Sequence, residues 1–228
     1  MKNTCNKLVW LSYPLGINDP RPPAIPAPEI TNLYTVDADG AAVQIIRVAS
    51  HTGTHIDTPA HVIKGGVEIT EYSPEEFVFT EPVIIDLRIP DAGIVQPYDL
   101  APFLETLRSA DIALFRFGYG RIRRDDPQRF SLRSPGFGVE SAQWLRDNLP
   151  NLRAVGMDVP SLACIAYLDA TMAAHNMLLE GAGCRFLVIE DMRLDDDLSN
   201  LAEVRINPWL VTGMDSGPCS VVGIVRKP

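Results

Sequence analysis

The segment HTGTHIDTPAH at residues 51–61 places three of the four histidines of this 228-residue chain within eleven positions. Gly53, Pro59 and the β-branched threonines around them oppose an α-helix, so the backbone is expected to be extended or looped. In an extended chain alternate side chains point to the same face, and His51, His55 and Asp57 therefore share one. The segment predicts a face of metal-ligating side chains, unlike the helical histidine pair of an HExxH motif.

This row of side chains can bind one ion only if the backbone bends. A straight strand would hold His51 and His55 about 13 Å apart at the backbone, whereas ligand atoms lie roughly 2.0 to 2.2 Å from the ion. Gly53 lies midway, where the absence of a side chain makes a bend easiest. Two imidazoles and a carboxylate suit zinc, manganese or iron(II) and leave positions open for water and substrate. We therefore expect a catalytic metal centre.

Composition narrows the class of partner. The net charge of -9 and the pI near 4.9 argue against a nucleic-acid or anionic-membrane partner. No apolar run approaches the roughly 20 residues of a membrane helix, and the first residues lack the apolar core of a signal peptide, so we expect a cytoplasmic protein. The four cysteines form no C-x-x-C pair and are expected to be reduced thiols: Cys5, Cys164, Cys184 and Cys219.

The length and the periodicity of the chain predict one mixed α/β or α+β domain over residues 1–228. Strands are expected at 8–11, 82–87, 112–117, 153–157, 186–190, 203–211 and 219–226, and helices at 98–110, 139–149 and around 166–181. A hairpin over 35–48 is expected to turn at Asp39-Gly40, and a short capped helix to begin at Ser73. The proline-rich stretch 20–28 is expected to be neither helix nor central strand, and 121–137 to be a solvated loop, serving as a lid or a subunit contact.

The segment 51–61 resembles the pattern H-x-G-T-H-x-D-x-P-x-H of the cyclase-type metal-dependent hydrolases, which include bacterial kynurenine formamidase and isatin hydrolase. Every fixed position of the pattern is matched. The stretches 11–15, 155–161, 207–213 and 215–218 also resemble segments of that family. The resemblance implies a swivelling β/β/α fold and a homodimer or larger homo-oligomer.

The resemblance also implies one or two divalent ions, Zn²⁺ or Mn²⁺. His51, His55 and Asp57 would hold the first ion, and Asp57 would bridge to a second one completed by His175 and Glu190. The gap between His175 and Glu190 is about three residues longer than is usual in the family.

That longer gap leaves the identity of the last ligand open. Glu180 and Asp191 are therefore alternative ligands to Glu190. The structural interpretation of Glu190 is a charge at the end of a strand, paired with an arginine.

His61 is the candidate catalytic residue. It lies beyond Pro59, which redirects the chain, so it need not bind the ion. A histidine near a metal can take a proton from water and return it to a leaving group, and the resemblance assigns the same acid/base role.

The substrate is expected to be a small molecule with a linear or cyclic amide C–N bond. N-formylkynurenine is the alternative, although the loop 19–25 lacks the tryptophan that formamidases of this family carry; Arg21 there is a candidate partner for a substrate carboxylate. Phe115, Phe117 and Tyr119 either line a pocket or fill the core. A non-catalytic metal-binding protein and a metal-dependent cyclase or dehydratase are further alternatives.

Overall fold

The computed structural model describes residues 6–181 and 183–227, and Cys5 lies outside them. Within that part, the strands in chain order are β1 Lys7–Trp10, β2 Glu29–Tyr34, β3 Val43–Arg47, β4 His55–Asp57, β5 Val78–Phe79, β6 Pro82–Asp86, β7 Ile94–Val95, β8 Ile112–Arg116, β9 Gly136–Phe137, β10 Ala154–Met157, β11 Leu187–Glu190, β12 Leu201–Pro208 and β13 Ser216–Val225. The α-helices are α1 Val36–Asp39, α2 Pro97–Leu100, α3 Leu104–Leu107, α4 Gly120–Asp125, α5 Pro127–Arg133, α6 Val139–Asn148, α7 Leu168–Thr171 and α8 Ala173–Leu179. Short 3₁₀ helices cover Pro59–His61, Ile69–Glu71, Pro74–Phe77, Ala101–Phe103 and Ile165–Tyr167.

One large mixed sheet organises the described residues. Its parallel half has the order β6-β8-β10-β11, and its antiparallel half continues as β4-β13-β12-β5, with β1 also paired to β13. Strand β4 lies at the junction, antiparallel to both β11 and β13. Because β12 also contacts β6, the sheet curls back on itself.

The buried parallel strands supply cores on both sides of the sheet, since successive side chains point to opposite faces. Ala113 and Phe115 of β8 pack with the helices, in a cluster that includes Leu145 of α6. Ile112 and Leu114 pack on the other face, against the antiparallel half of the sheet. The molecule therefore has two β layers and one helical layer, which is the β/β/α arrangement that the family resemblance implies.

Several predicted elements are confirmed with small shifts in their bounds. Strands β1, β6, β8, β10 and β11 and helix α6 lie where periodicity placed them. The 3₁₀ helix Pro74–Phe77 begins at the predicted capping box of Ser73 and Glu76. Residues 20–28 contain neither helix nor strand.

The single amphipathic helix predicted over residues 98–110 is wrong. The chain there is helical but broken into α2, the 3₁₀ helix Ala101–Phe103 and α3. Pro102 lies in the middle of the run, and its ring removes a backbone donor and obstructs a continuous α-helix.

The hairpin predicted over residues 35–48 is also wrong in its first strand. The hairpin joins β2 to β3, and residues 36–39 form the helical turn α1. The side chain of Thr35 accepts a hydrogen bond from Ala38 N, and Gly40 closes the turn at φ 75°. Local capping outweighs strand propensity here.

Residues 121–137 are not the predicted solvated loop. They form α4, α5 and β9, and Asp126 caps α5 by accepting from Arg129 N, with Pro127 in the first turn. Arg123 is buried, which contradicts the expectation of a solvated basic stretch.

The aromatic residues that were candidates for lining a pocket belong to the core instead. Phe115, Phe117 and Tyr119 are buried in the helical-layer core. Among the described cysteines, three are free thiols: Cys164, Cys184 and Cys219. In the part of the chain that the structure describes, no helix has the length and apolar character needed to cross a membrane.

Candidate metal centre

The strand β4 carries the centre of the site. His55 lies opposite Glu190 of β11 on one side and Pro218 of β13 on the other. His55 and Asp57 are two positions apart, so both side chains project from the same face of a central strand. The side chains of His55, Asp57 and Glu190 are all buried, with exposed fractions of 2%, 0% and 3%.

The bend predicted at Gly53 is present. Gly53 has a φ of 63°, a conformation that glycine adopts without the strain other residues suffer. The rings of His51 and His55 consequently lie 5.2 Å apart between centroids. The two imidazoles converge although a straight strand would separate them.

The ring of His55 is held by the backbone. Its Nδ1 lies 2.8 Å from Gly53 O, and because a carbonyl only accepts, Nδ1 donates there and Nε2 is the ring nitrogen left to face the carboxylates. Nε2 is buried without a hydrogen-bond partner, 3.1 Å from Glu190 Oε2 and 3.6 Å from Asp57 Oδ1.

Asp57 lies between two groups of histidines. Its Oδ1 is 3.1 Å from His51 Nδ1, and its Oδ2 is 3.9 Å from His175 Nε2. Both carboxylate oxygens are buried and neither has a hydrogen-bond partner. This position suits a carboxylate that bridges two ions.

His175 and Glu190 meet on the far side of Asp57. His175, on α8, places Nε2 3.1 Å from Glu190 Oε1, which also accepts a 2.6 Å hydrogen bond from Leu162 N. The longer gap between the two residues in sequence therefore does not prevent them from meeting. No arginine among the described residues forms an ion pair with Glu190.

The two alternative ligands lie elsewhere. Both carboxylate oxygens of Asp191 accept hydrogen bonds from Arg123, at 2.7 and 2.9 Å. Glu180 is exposed at the end of α8.

His61 lies at the rim of this cluster. It ends the 3₁₀ helix that Pro59 begins, and its side chain is 18% exposed. Its ring centroid is 4.2 Å from that of His51 and 5.5 Å from that of His175. Partial exposure beside the buried donors gives His61 access to both solvent and the site.

Sequence reasoning missed Asp215. Its Oδ2 lies 3.0 Å from His51 Nε2 and 3.2 Å from His61 Nδ1, so one carboxylate oxygen links the two histidines. Ser216 Oγ is also 3.1 Å from His51 Nε2. The signal in the sequence is the stretch 215–218, which resembles a segment of the family and begins with Asp215.

The electrostatics of the cluster are dominated by facing carboxylates. Burial lowers the pKa of His51, but interactions with Asp215 and Asp57 outweigh it and raise the pKa to about 10. Burial likewise lowers the pKa of His55, but the charges of Asp57 and Glu190 outweigh it and raise the pKa.

The carboxylates shift in the opposite direction. Hydrogen bonds with His51 and His61 hold the pKa of Asp215 well below its usual range. Burial raises the pKa of Glu190, but His175 and His55 outweigh it and bring the pKa well below its ordinary value. The site is a concentration of negative charge balanced only by imidazoles.

The residues present fit a divalent ion. Six buried side-chain atoms in the described part of the chain lack a hydrogen-bond partner, and three of them are His55 Nε2 and the two carboxylate oxygens of Asp57. Such orphaned atoms are costly unless something else coordinates them. Two groups bring their ligand atoms within 4.8 Å of one another: His51, Asp57 and His61, and His55, Asp57 and Glu190. Nitrogen and carboxylate donors of this kind suit zinc, manganese or iron.

The fold and this cluster together define a mixed α/β protein with a candidate metal centre at the junction of its sheet. The model of the Cyclase family matches residues 9–163. The chain belongs to that family.

Two relatives found by sequence agree with membership of the Cyclase family. A kynurenine formamidase of Erythrobacter litoralis is 26% identical over 190 residues, 81% of this chain and 78% of the relative. Cyclase-like protein 2 of Arabidopsis thaliana is 25% identical over 190 residues, 76% of this chain and 61% of the relative.

Solved structures share the fold. Isatin hydrolase A from Labrenzia aggregata, bound to benzyl benzoate, gives a TM-score of 0.77 at 19% identity and covers 97% of this chain and 94% of its own. A predicted metal-dependent hydrolase from Bacillus stearothermophilus gives 0.74 at 21% identity, covering 97% and 99%.

Proposed function

We propose that this protein is a metal-dependent hydrolase that cleaves a linear or cyclic amide C–N bond. The observation that carries the proposal is the Asp57 carboxylate, which is fully buried, accepts no hydrogen bond at either oxygen, and lies between His51 and His55 on one side and His175 on the other. A buried carboxylate that accepts no hydrogen bond is unfavourable, and a divalent cation would remove that cost.

In this proposal His51, His55 and Asp57 would hold one ion, and Asp57, His175 and Glu190 would hold a second. His51 and His55 face Asp57 Oδ1, while His175 faces Asp57 Oδ2 and Glu190 Oε1. Either Zn²⁺ or Mn²⁺ fits these donors. A bound ion of this kind supplies a water molecule that loses its proton near neutral pH and polarises a carbonyl oxygen.

The protein's own residues handle the proton. His61 Nε2 is the ring nitrogen left free when Nδ1 faces Asp215, and it can accept a proton from the attacking water. As hydroxide adds to the carbonyl carbon and the C–N bond breaks, the same proton passes to the departing nitrogen. The products are an amine and a carboxylic acid, and the acid then releases its proton to solvent and becomes a carboxylate. Asp215 holds the His61 ring in place through its contact with Nδ1.

Two relatives bear on the substrate. The similarity to isatin hydrolase favours a cyclic amide, and the similarity to kynurenine formamidase favours N-formylkynurenine. The loop 19–25 contains no tryptophan. Arg21 donates to two carbonyls of its own loop, Ile25 O and Asp19 O, so it holds the loop and is a weaker candidate for binding a substrate carboxylate.

His61→Ala separates binding from catalysis. We expect the variant to keep its metal, measured by elemental analysis, and to lose activity by about 100-fold or more, since general acid–base catalysis contributes roughly 10² to 10⁴. His51→Ala is the comparison, and it should lose metal as well. An active His61→Ala protein would remove the assigned role.

A substrate panel tests the reaction class. Purified protein loaded with Zn²⁺ or Mn²⁺ would be offered amides, imides, a lactone and N-formylkynurenine, with formate and product mass recorded. Hydrolysis adds the mass of water. Bound metal with no turnover would favour a non-catalytic metal-binding protein, and loss of water would favour a cyclase or dehydratase.

Homodimerisation belongs to the same proposal. The β2–β3 hairpin has no buried residue on either strand, and a two-stranded hairpin alone is marginally stable in water. Its apolar side chains are exposed: Ile30, Leu33, Tyr34, Val43, Ile45 and Ile46. Its strands carry only Glu29 and Arg47 as charges, paired with each other at 3.7 Å, so they suit a second copy of themselves.

A further inference from the structure

Arg123 is a buried cation next to the metal-ligating strands. Its side chain is 9% exposed. Its Nε donates to Asp191 Oδ1 at 2.7 Å and its Nη2 to Asp191 Oδ2 at 2.9 Å. This is a bidentate pair, which fixes orientation as well as distance. Breaking a buried pair of this kind leaves an uncompensated charge.

Asp191 transmits this constraint to two candidate ligands. It directly follows Glu190 and has a φ of 51°, a left-handed conformation uncommon outside glycine. Its N–H donates to Val159 O at 2.8 Å, and its carbonyl accepts from Thr54 Oγ1 at 2.6 Å. Since Thr54 directly precedes His55, Asp191 restrains the backbone beside both Glu190 and His55.

Arg123 also contacts the segment that leads into the proline-rich loop. Its guanidinium carbon lies 4.0 Å from the centre of the Tyr13 ring, and its Nη2 lies 3.5 Å from Asp19 Oδ2. Tyr13 N donates to Thr54 Oγ1 at 3.0 Å. Between Tyr13 and Asp19 in the chain, Leu15 lies over Gly53: a methyl group added at Gly53 would be 3.2 Å from Leu15 Cδ1. The segment 13–19 therefore covers the bend of the metal-ligating segment.

We propose that Arg123 is a positioning residue that couples segment 13–19 to the metal centre. Through Asp191 it fixes the ligands Glu190 and His55, and through Tyr13 and Asp19 it fixes the cover over Gly53. The inference rests on the proposed function in taking Glu190 and His55 as ligands. Residues that orient metal ligands alter metal affinity when they are changed.

The test compares the buried Arg123 with two exposed arginines of helix α4, Arg121 and Arg124. Arg123→Met removes the pair, Arg123→Lys keeps the charge but not the bidentate geometry, and Arg121→Ala and Arg124→Ala are matched controls, since both side chains are exposed and pair with Asp125. Zn²⁺ affinity is measured by chelator competition. Hydrogen exchange is measured on peptides covering 13–19 and 188–192, without substrate.

We expect Arg123→Met to bind Zn²⁺ about 10- to 100-fold more weakly, the range for residues that orient ligands, and Arg123→Lys to be intermediate. Both peptides should exchange faster in the Arg123 variants and be unchanged in the controls. A folded Arg123→Met protein with wild-type Zn²⁺ affinity and exchange would overturn the proposal. If that variant does not fold, the same wild-type readouts in Arg123→Lys overturn it.

Tyr13→Ala separates the two arms of the coupling. It removes the contact between the Tyr13 ring and Arg123 but leaves the Arg123–Asp191 pair, so it should raise KM for a hydrolysed amide more than it lowers kcat, with Zn²⁺ affinity retained. A lower kcat at unchanged KM would contradict the cover role. Because Zn²⁺ affinity and exchange need no substrate, a chain that hydrolyses nothing refutes the proposed function while leaving this coupling measurable.

Discussion

Asp57 and Gly53 are two residues on which the geometry of the candidate metal centre depends. Asp57 places its carboxylate between the two histidine groups, and Gly53 supplies the bend that brings His51 beside His55. Asp57 cannot be replaced by a neutral residue without losing a carboxylate oxygen, and Gly53 cannot be replaced without placing a side chain on a backbone of positive φ.

Asp57→Asn should abolish tight metal binding. The amide replaces one oxygen by a donor nitrogen and removes the charge, so we expect Zn²⁺ affinity to fall more than the roughly 10- to 100-fold typical of residues outside the coordination shell. Chelator competition measures it. Asp37→Asn, in the exposed turn α1, is the control, and retention of wild-type affinity by Asp57→Asn would contradict the site.

Gly53→Ala should weaken the site and the fold together. The left-handed backbone costs a non-glycine residue roughly 1 to 2 kcal/mol, and the new methyl group meets Leu15. Gly40→Ala is a matched control, since Gly40 has a φ of 75° with nothing within 4 Å of the added methyl. Urea unfolding should show destabilisation in both, and Zn²⁺ titration a loss of affinity only in Gly53→Ala.

At the scale of elements, helix α5 is fastened through Asp91. This carboxylate accepts from Arg129 Nε and Nη2 at 2.8 and 2.9 Å and from Tyr119 Oη at 2.6 Å. The hydrogen bonds from Arg129 and Tyr119 lower the pKa of Asp91 to about 2. The attachment of α5 therefore depends on the ionised form of Asp91.

The pH dependence of this attachment follows from the lowered pKa. The carboxylate is more acidic in the folded protein, so its contribution is present above its unfolded pKa of about 3.9 and is lost as the pH falls through about 2. For a partly exposed pair we expect about 0.5 to 1 kcal/mol. The difference in unfolding free energy between wild type and Asp91→Asn should be constant above pH 4 and shrink towards pH 2. A difference that grows on acidification would contradict it.

At the scale of the whole molecule, the exposed β2–β3 hairpin is the feature that a single chain does not explain. It projects apolar side chains from both strands. Ile30 and Ile46 are directly paired across the hairpin, so they form a continuous apolar surface for a second copy.

Ile46→Glu should shift the protein towards monomer, because a charge in an apolar interface is desolvated without a partner. We expect the dimer dissociation constant, measured by sedimentation equilibrium, to rise at least about tenfold, which corresponds to roughly 1.4 kcal/mol. Tyr98→Glu is the control, since Tyr98 is 73% exposed on α2. A wild-type protein that is monomeric at high concentration would exclude this assembly.

The sequence alone was enough to predict the bend at Gly53 and the buried strands, because these depend on local backbone preferences and on side-chain periodicity. It was also enough to predict the family, because the pattern at residues 51–61 is contiguous in the chain. It failed where a nearby proline or cap redirected the chain, as at Pro102 and in α1 and α5. Three contacts could be seen only once the chain was folded: His175 with Glu190, Asp215 with both His51 and His61, and the buried Arg123 with Asp191. Those contacts join residues far apart in the chain, and their partners are selected by how the sheet curls.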